Sequence, residues 1–219
     1  PISGGSGQPV AQMVASKKVL FGIASAEEIL LARSNGAKIV GLFAVYQDDP
    51  QGFMVHSERK ITNLKQLFQT EGTIAIQKGM PFSDWLQKKY APIKATLVPY
   101  SGGITQFLKN KNFAQQCFVT SEPIAAKREK QTPHTLLISE SGYNPYLAIV
   151  IAHEETLRKS PELVKQFLKA TQAGWQGYLK NPKDTNLLMN KLNPSITLED
   201  LDESSKIQKT FIETLETKT

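Results

Sequence analysis

One cysteine, Cys117, stands in 219 residues. That excludes an internal disulfide and a cysteine metal cluster. It lies in the apolar run Cys117-Phe118-Val119, where a buried small hydrophobe is expected rather than a nucleophile. Low cysteine use suits an exported bacterial protein as well as a cytosolic one. The three histidines, His56, His134 and His153, show no metal-ligand spacing, so no metal site is expected. No apolar run approaches the ~18–20 residues that span a bilayer. The longest, residues 146–152, reads as a buried strand. Nucleotide fingerprints are missing too. Gly4-Gly5-Ser6-Gly7 has neither the wider glycine spacing of a dinucleotide loop nor the lysine of a P-loop, and no Gly-x-Ser-x-Gly elbow occurs. No cofactor is expected. Glu27, Glu28, Glu122 and Asp84 supply carboxylates, but nothing in their spacing pairs them as acid and base. The chain is expected not to be an enzyme.

What is present is ordinary for a globular chain: 40% hydrophobic and 21% charged residues. The net charge of +6, from 26 basic and 20 acidic residues, invites a nucleic-acid reading. The basic residues are scattered and interleaved with acids, however. The densest cluster, Lys127, Arg128 and Lys130 around Glu129, reads as a solvated helix end, and no nucleic-acid partner is expected.

Short apolar runs alternate with helical patterns. Residues 20–24 read as a buried parallel strand. Before them Val10, Met13 and Val14 form a helical stripe, entered through Ser3 to Gly7. After them Ser25-Ala26-Glu27-Glu28 is a capping box, opening a helix with Ile29, Leu30 and Leu31 that stops at Asn35-Gly36. Further strands are expected over 39–45, 52–56, 73–77, 95–99, 117–120, 136–139 and 146–152. Helices open at Gly79-Met80-Pro81 (with Phe82, Trp85 and Leu86 on one face, read as core), at Ser101-Gly102-Gly103 and at Ser121-Glu122-Pro123. From Ser160-Pro161-Glu162 onward the pattern is helical only, broken at Asn181-Pro182 and Asn193-Pro194. Repeated strand–turn–helix units imply a parallel-rich α/β sheet with helices on both faces. Ligands of such sheets sit at the carboxyl ends of the strands, beside the helix starts.

The candidate site follows from that rule. The amide-rich loops are Gly4, Gly5, Ser6 and Gly7; Ser25 with Glu27; Lys78 with Gly79; Ser101, Gly102 and Gly103; and Glu122 with its preceding serine. Each one alone reads as simple capping; their recurrence points to a binding cleft. Tyr46, Tyr100 and Tyr143 flank these positions as rings that could stack on a flat heterocycle.

Several segments resemble one family. Phe21-Gly22-Ile23-Ala24-Ser25-Ala26-Glu27-Glu28-Ile29-Leu30-Leu31-Ala32-Arg33 is similar to the signature of solute-binding proteins for nitrate, sulfonate, taurine and thiamine-pyrimidine precursors (NMT1/THI5-like, SsuA-like). Asp49-Pro50-Gln51-Gly52-Phe53-Met54-Val55, Val119-Thr120-Ser121-Glu122-Pro123 and Tyr143-Asn144-Pro145-Tyr146-Leu147 match it in order, to about Pro194. The resemblance implies an α/β, two-lobed periplasmic binding protein type II fold, each lobe a mixed sheet flanked by helices. Residues 1–60 would begin lobe 1, 61–145 form lobe 2, and 146–219 return to lobe 1 with the C-terminal helices. It further implies a periplasmic or extracytoplasmic ligand-capture subunit of an ABC importer. Its lobes would close on a small ligand, and the closed form would dock on a permease driven by a separate ATPase. Lipid anchoring is left open.

In that frame Ser25, Glu27 and the Gly4–Gly7 loop would hold the ligand from one lobe. Lys78, Gly79, Ser101, Gly102 and Glu122 would approach from the other. The Ser25–Glu28 and Pro50-Gln51-Gly52 segments favour a thiamine-pyrimidine precursor, which adds Gln51 to the candidates; nitrate, sulfonate or taurine is the alternative. Family members usually carry an opening strand and helix before the segment matching Pro1. On the order of 30–40 residues of a βαβ unit are expected to be missing here, in a fragment, a processed chain or a truncated paralogue. The related fungal pyrimidine synthases act through a cysteine-rich segment, which a chain with Cys117 alone does not supply. A cytosolic sensor would bring a DNA-binding helical unit, also not seen.

Overall fold

A computed structural model describes residues 9–214 and 217. By internal contacts the chain forms two compact units. The first holds the residues up to Asp48, Pro145–Pro182 and the end from Ile212; the second holds Asp49–Asn144 and Lys183–Phe211.

In the first unit, helix α1 (Val10–Ala15) precedes strand β1 (Phe21–Ala24), helix α2 (Ala26–Ser34) and strand β2 (Ile39–Tyr46). Strand β8 (Leu147–His153) enters from late in the chain and lies between them, giving the order β1-β8-β2. Both pairings are antiparallel. Thus β1 and β2 run parallel to each other and α2 is their crossover, but β8 fills the slot between them. The expected parallel pairing of residues 20–24 is corrected accordingly. Burial differs as well: β1, with one neighbour among the described residues, leaves Phe21 and Gly22 half-buried, exposes Ile23 (60%) and buries Ala24. On α2 only Ile29 is buried, whereas Leu30 and Leu31 are exposed.

The core of this unit is small: Val14, Ala24, Ile29, Ile39, Ile149 and Ile151. Helix α1 sits close on β1 at Gly22, where a Cβ would come 2.6 Å from Val10 Cγ1 and 2.9 Å from Val14 Cγ2. Two further helices, α7 (Glu154–Lys159) and α8 (Pro161–Lys180), follow β8. Phe167 of α8 stacks on Phe21, centroids 4.0 Å apart.

The capping box of α2 is present in full. The Ser25 hydroxyl accepts from the Glu28 N–H (3.2 Å), and Glu28 Oε2 accepts from the Ser25 N–H (2.8 Å). Ser25→Ala is therefore expected to destabilise the first unit by about 1 kcal/mol. Urea unfolding followed by circular dichroism checks this; an unchanged midpoint would refute the cap's contribution.

The second unit is built on five strands: β3 (Gln51–His56), β4 (Thr73–Ile76), β5 (Thr96–Pro99), β6 (Phe113–Phe118) and β7 (Pro133–Leu137). Their order is β5-β4-β6-β3-β7. Strands β5, β4 and β6 are parallel, and β3 is antiparallel to both β6 and β7. The sheet is thus mixed. Its period of two sorts the side chains. Ile74 and Ile76 face helices α3 (Leu64–Gln69) and α4 (Pro81–Lys89), packing with Leu67, Phe68, Phe82 and Leu86. Ala75, Phe113 and Cys117 face the other way, toward Phe107 of α5 (Thr105–Lys109) and Ala126 of α6 (Glu122–Arg128).

Trp85 departs from the core reading: it is 41% exposed, its indole N–H donates to Ser141 Oγ (3.1 Å) and Lys89 lies over its ring. Helices α9 (Lys183–Leu192) and α10 (Leu198–Ile212) follow α8, and residues 183–211 belong to this unit rather than to the first. The reason is electrostatic in part. Lys127 pairs with Glu203 (2.8 Å) and Arg128 with Asp200, so the basic cluster read as a solvated helix end is paired with α10. The first boundary falls at 48/49 because β3 belongs to the second sheet. No described helix is long and apolar enough to cross a membrane.

Candidate functional site

Because β4, β5 and β6 are parallel, their carboxyl ends share one edge of the second unit. The segments leaving that edge are Gln77 to Met80, Tyr100 to Ile104 and Val119 to Ser121. A side-chain strut ties two of the strands there: Gln116 of β6 accepts from the Gln77 N–H at 2.5 Å. Gly79 (φ 79°), Gly102 (φ 81°) and Gly103 (φ 68°) adopt left-handed conformations that side chains other than glycine's would strain. These loops are exposed, and nothing lies within 4 Å of where a Cβ would sit on any of the three glycines.

Tyr100, Ser101, Gly102 and Gly103 line a cavity of about 550 Å³. Its floor is the sheet face carrying Thr73 and Ala75 of β4, Val98 of β5, and Phe113 and Gln115 of β6. The five-residue α5 contributes Thr105 and Gln106 to the wall. The Tyr100 hydroxyl donates to Glu122 Oε1 (2.9 Å), while Glu122 Oε2 accepts from the Phe118 N–H (2.9 Å). Burial, reinforced by the Glu122 carboxylate, pushes the Tyr100 phenol well above its usual range. Tyr100 therefore stays a neutral donor.

The other predicted residues are distributed as follows. Ser25 is the α2 N-cap, its hydroxyl engaged by Glu28, and Glu27 is half-buried in the first turn. Tyr46 ends β2, its phenol pushed up to about 12 by burial and by nearby Tyr178. Gln51 opens β3, with its N–H donating to Asp49 Oδ1 at 2.8 Å. Lys78 is exposed beside Gly79. Tyr143 packs on the larger core and tilts against Trp85 at 6.0 Å, away from the residues lining the cavity. Gly4, Gly5, Ser6 and Gly7 lie outside the described residues.

Sequence reasoning missed the cavity's inner wall: Thr73, Asn110 and Gln115. Gln115 is 2% exposed; its amide nitrogen donates to the Gly103 carbonyl at 2.8 Å. The available signal was Phe113-Ala114-Gln115-Gln116-Cys117, two adjacent glutamines inside an apolar strand. A strand predicted to start at Cys117 left them out.

Cys117 is buried, and burial followed by the Glu122 charge holds its thiol well above the usual range. A thiol so held is a poor nucleophile.

The chain as a whole is similar to known proteins. The Riboflavin-binding protein RibY of Chloroflexus aurantiacus is 24% identical over 188 residues, covering 84% of this chain and 53% of that protein. The periplasmic aliphatic sulphonate binding protein SsuA from Escherichia coli matches in structure with a TM-score of 0.72 at 14% identity, over 89% of this chain and 64% of that one. The alkanesulfonate-binding protein SsuA from Xanthomonas axonopodis pv. citri, bound to MOPS, gives 0.62 at 13% identity, over 90% and 71%. These likenesses show a shared fold, and the chain spans about half the length of the RibY protein. Residues 2–185 match the family model described as NMT1/THI5 like, and the chain belongs to that family.

Proposed function

We propose that this chain is the solute-binding component of an ABC-type importer, working outside the cytoplasmic membrane and handing its ligand to a permease served by a separate ATPase. The observation that carries the reading is the glycine-rich rim Tyr100 to Gly103 at the carboxyl edge of parallel strands, over a cavity that runs along the sheet face as far as Thr73 and Phe113, in a chain of this family. Cavities of about 300–1,000 Å³ with a few fixed polar groups suit small-molecule capture.

The protein performs no chemistry on its ligand. The buried, protonated Cys117 thiol argues against a synthase that uses cysteine. Lys78, Gly79, Ser101, Gly102 and Glu122 belong to the ligand-facing edge of the second unit; Ser25, Glu27 and Tyr46 are the contribution proposed for the first. Closure of the two units on the ligand is proposed from the family likeness alone.

Among ligands, a planar uncharged heterocycle of the thiamine-pyrimidine or flavin kind is favoured. The RibY relative supports this choice. An alkanesulfonate is the second reading. It is favoured by exposed Lys78, which stands ahead of the nine-residue helix α4, where a helix dipole assists an anion.

Thermal denaturation with pyrimidines, flavins, sulfonates and nitrate tests both. A true ligand at 100 times its Kd is expected to stabilise the protein by about 2.7 kcal/mol. A response to sulfonates alone would transfer the assignment to the second reading, and no response to any of them would sink the proposal.

A further inference from the structure

The wall of the cavity beneath Gly103 carries a second kind of information. Among the described residues no Asp, Glu, Lys, Arg or His lines it. Its side-chain polar groups are hydroxyls and carboxamides, those of Thr73, Ser101, Thr105, Gln106, Asn110 and Gln115, with the Tyr100 hydroxyl already committed to Glu122. Asn110 is partly committed, its Oδ1 accepting from the Asn112 N–H. Gln115 is different. Its nitrogen is fixed on the Gly103 carbonyl, which aligns the amide plane, while its Oε1 has no hydrogen bond among the described residues. Gln115 lines the cavity, and its Oε1 is not among the side-chain atoms sealed from solvent without a partner, so that oxygen is open to the cavity and can accept from a donor placed there.

An anion fits this wall badly. It would lose its hydration on entry without meeting a cation, a costly exchange. The helix behind the loop, α5, has only five residues and little dipole to offset that loss. An uncharged group bearing an N–H or O–H meets Gln115 Oε1 and the Thr73 hydroxyl without that cost, with Ala75, Val98 and Phe113 as apolar floor.

We infer that this cavity is a subsite for the uncharged, donor-bearing part of the ligand, with Gln115 Oε1 as the acceptor that selects it. The inference rests on the solute-binding reading and sharpens it, for it makes the inner wall rather than the glycine loop the source of specificity.

Calorimetric titration of the whole chain with riboflavin, with 4-amino-5-hydroxymethyl-2-methylpyrimidine and with ethanesulfonate tests it. At least one of the two uncharged probes is expected to bind. Gln115→Met, which keeps the volume and removes the acceptor together with the donor to the Gly103 carbonyl, is expected to weaken that binding about tenfold. Thr73→Val, nearly isosteric on the strand, supplies the same comparison should Gln115→Met melt early, with an expected loss of about threefold to tenfold. Unaltered affinity in a folded Gln115→Met and in Thr73→Val would overturn the subsite and leave solute binding intact. Binding of ethanesulfonate with silence from both uncharged probes would overturn the ligand class alone. Silence from all three would overturn the subsite, and silence from nitrate as well would remove the solute-binding reading with it.

Discussion

Phe53→Ala is expected to destabilise the second unit by about 3–5 kcal/mol, the range for a large aromatic removed from a packed core. Phe53 is fully buried on β3, with β6 on one side and β7 on the other. It lies opposite Gln116 and Leu136 in register, and its ring meets Phe68 edge to face at 5.7 Å. Phe68 belongs to α3, so one side chain joins the centre of the sheet to the helix layer. The site for collapse is poor. Gly52, next along the strand, already sits so close to the Leu136 carbonyl that a Cβ there would come within 2.6 Å of its oxygen. The strands on that side therefore have no slack with which to fill a void. Guanidinium unfolding gives the loss directly, and hydrogen exchange resolves where it falls: protection should decline across 49–144 and persist in β1, β2 and β8. A loss below 1 kcal/mol would mean that this core is not the one holding the sheet.

The contrast between what could and could not be read in advance follows the range of the interactions. Ser25 with Glu28, Pro81, Ser160 with Pro161, and Asn181 with Pro182 act within a turn of themselves, and the helix boundaries they announce are the ones observed. Strand partners are a different matter. Nothing local in residues 20–24 reveals that β8, more than a hundred residues later, will lie antiparallel beside them. Nor does Lys127 announce that Glu203 will answer it. Trp85 fits its helix's buried stripe by spacing, yet it stays largely exposed at the rim of the core, its indole N–H on buried Ser141 and its ring tilted against Tyr143. The site divides in the same way. The rim from Tyr100 to Gly103 was legible because glycines and helix starts mark it, whereas Thr73 and Gln115 sit in strands whose polarity acquires meaning only once the sheet face is assembled.

His56→Leu is expected to cost about 2–4 kcal/mol and to remove an acid sensitivity present in the native protein. His56 ends β3, is fully buried and stacks on Phe107 at 3.9 Å, nearly parallel. Its Nε2 donates to the Phe107 carbonyl (2.9 Å), leaving Nδ1 to face the Lys111 ammonium at 3.5 Å. Losing the hydrogen bond leaves a buried carbonyl unpaired, about 1–3 kcal/mol, and losing the stack adds about 0.5–1.5 kcal/mol. The groups around the ring fix the sign of the pH dependence. Burial lowers the imidazole below its ordinary value near 6.5, and Lys111 lowers it further. The Phe107 carbonyl, Glu58 and the Asn110 backbone oppose them without prevailing. A base depressed in the folded state is protonated first in the unfolded chain. Its contribution is thus fully present above pH 6.5 and is lost as pH falls from there through the folded value. Because Phe107 is the buried anchor of α5, and α5 walls the cavity through Thr105 and Gln106, acid should loosen that wall before the sheet itself. Chemical denaturation between pH 7.5 and 5 measures the slope. The native chain should lose stability across that interval by more than His56→Leu does, and parallel curves for the two proteins would show that this histidine does not titrate with folding.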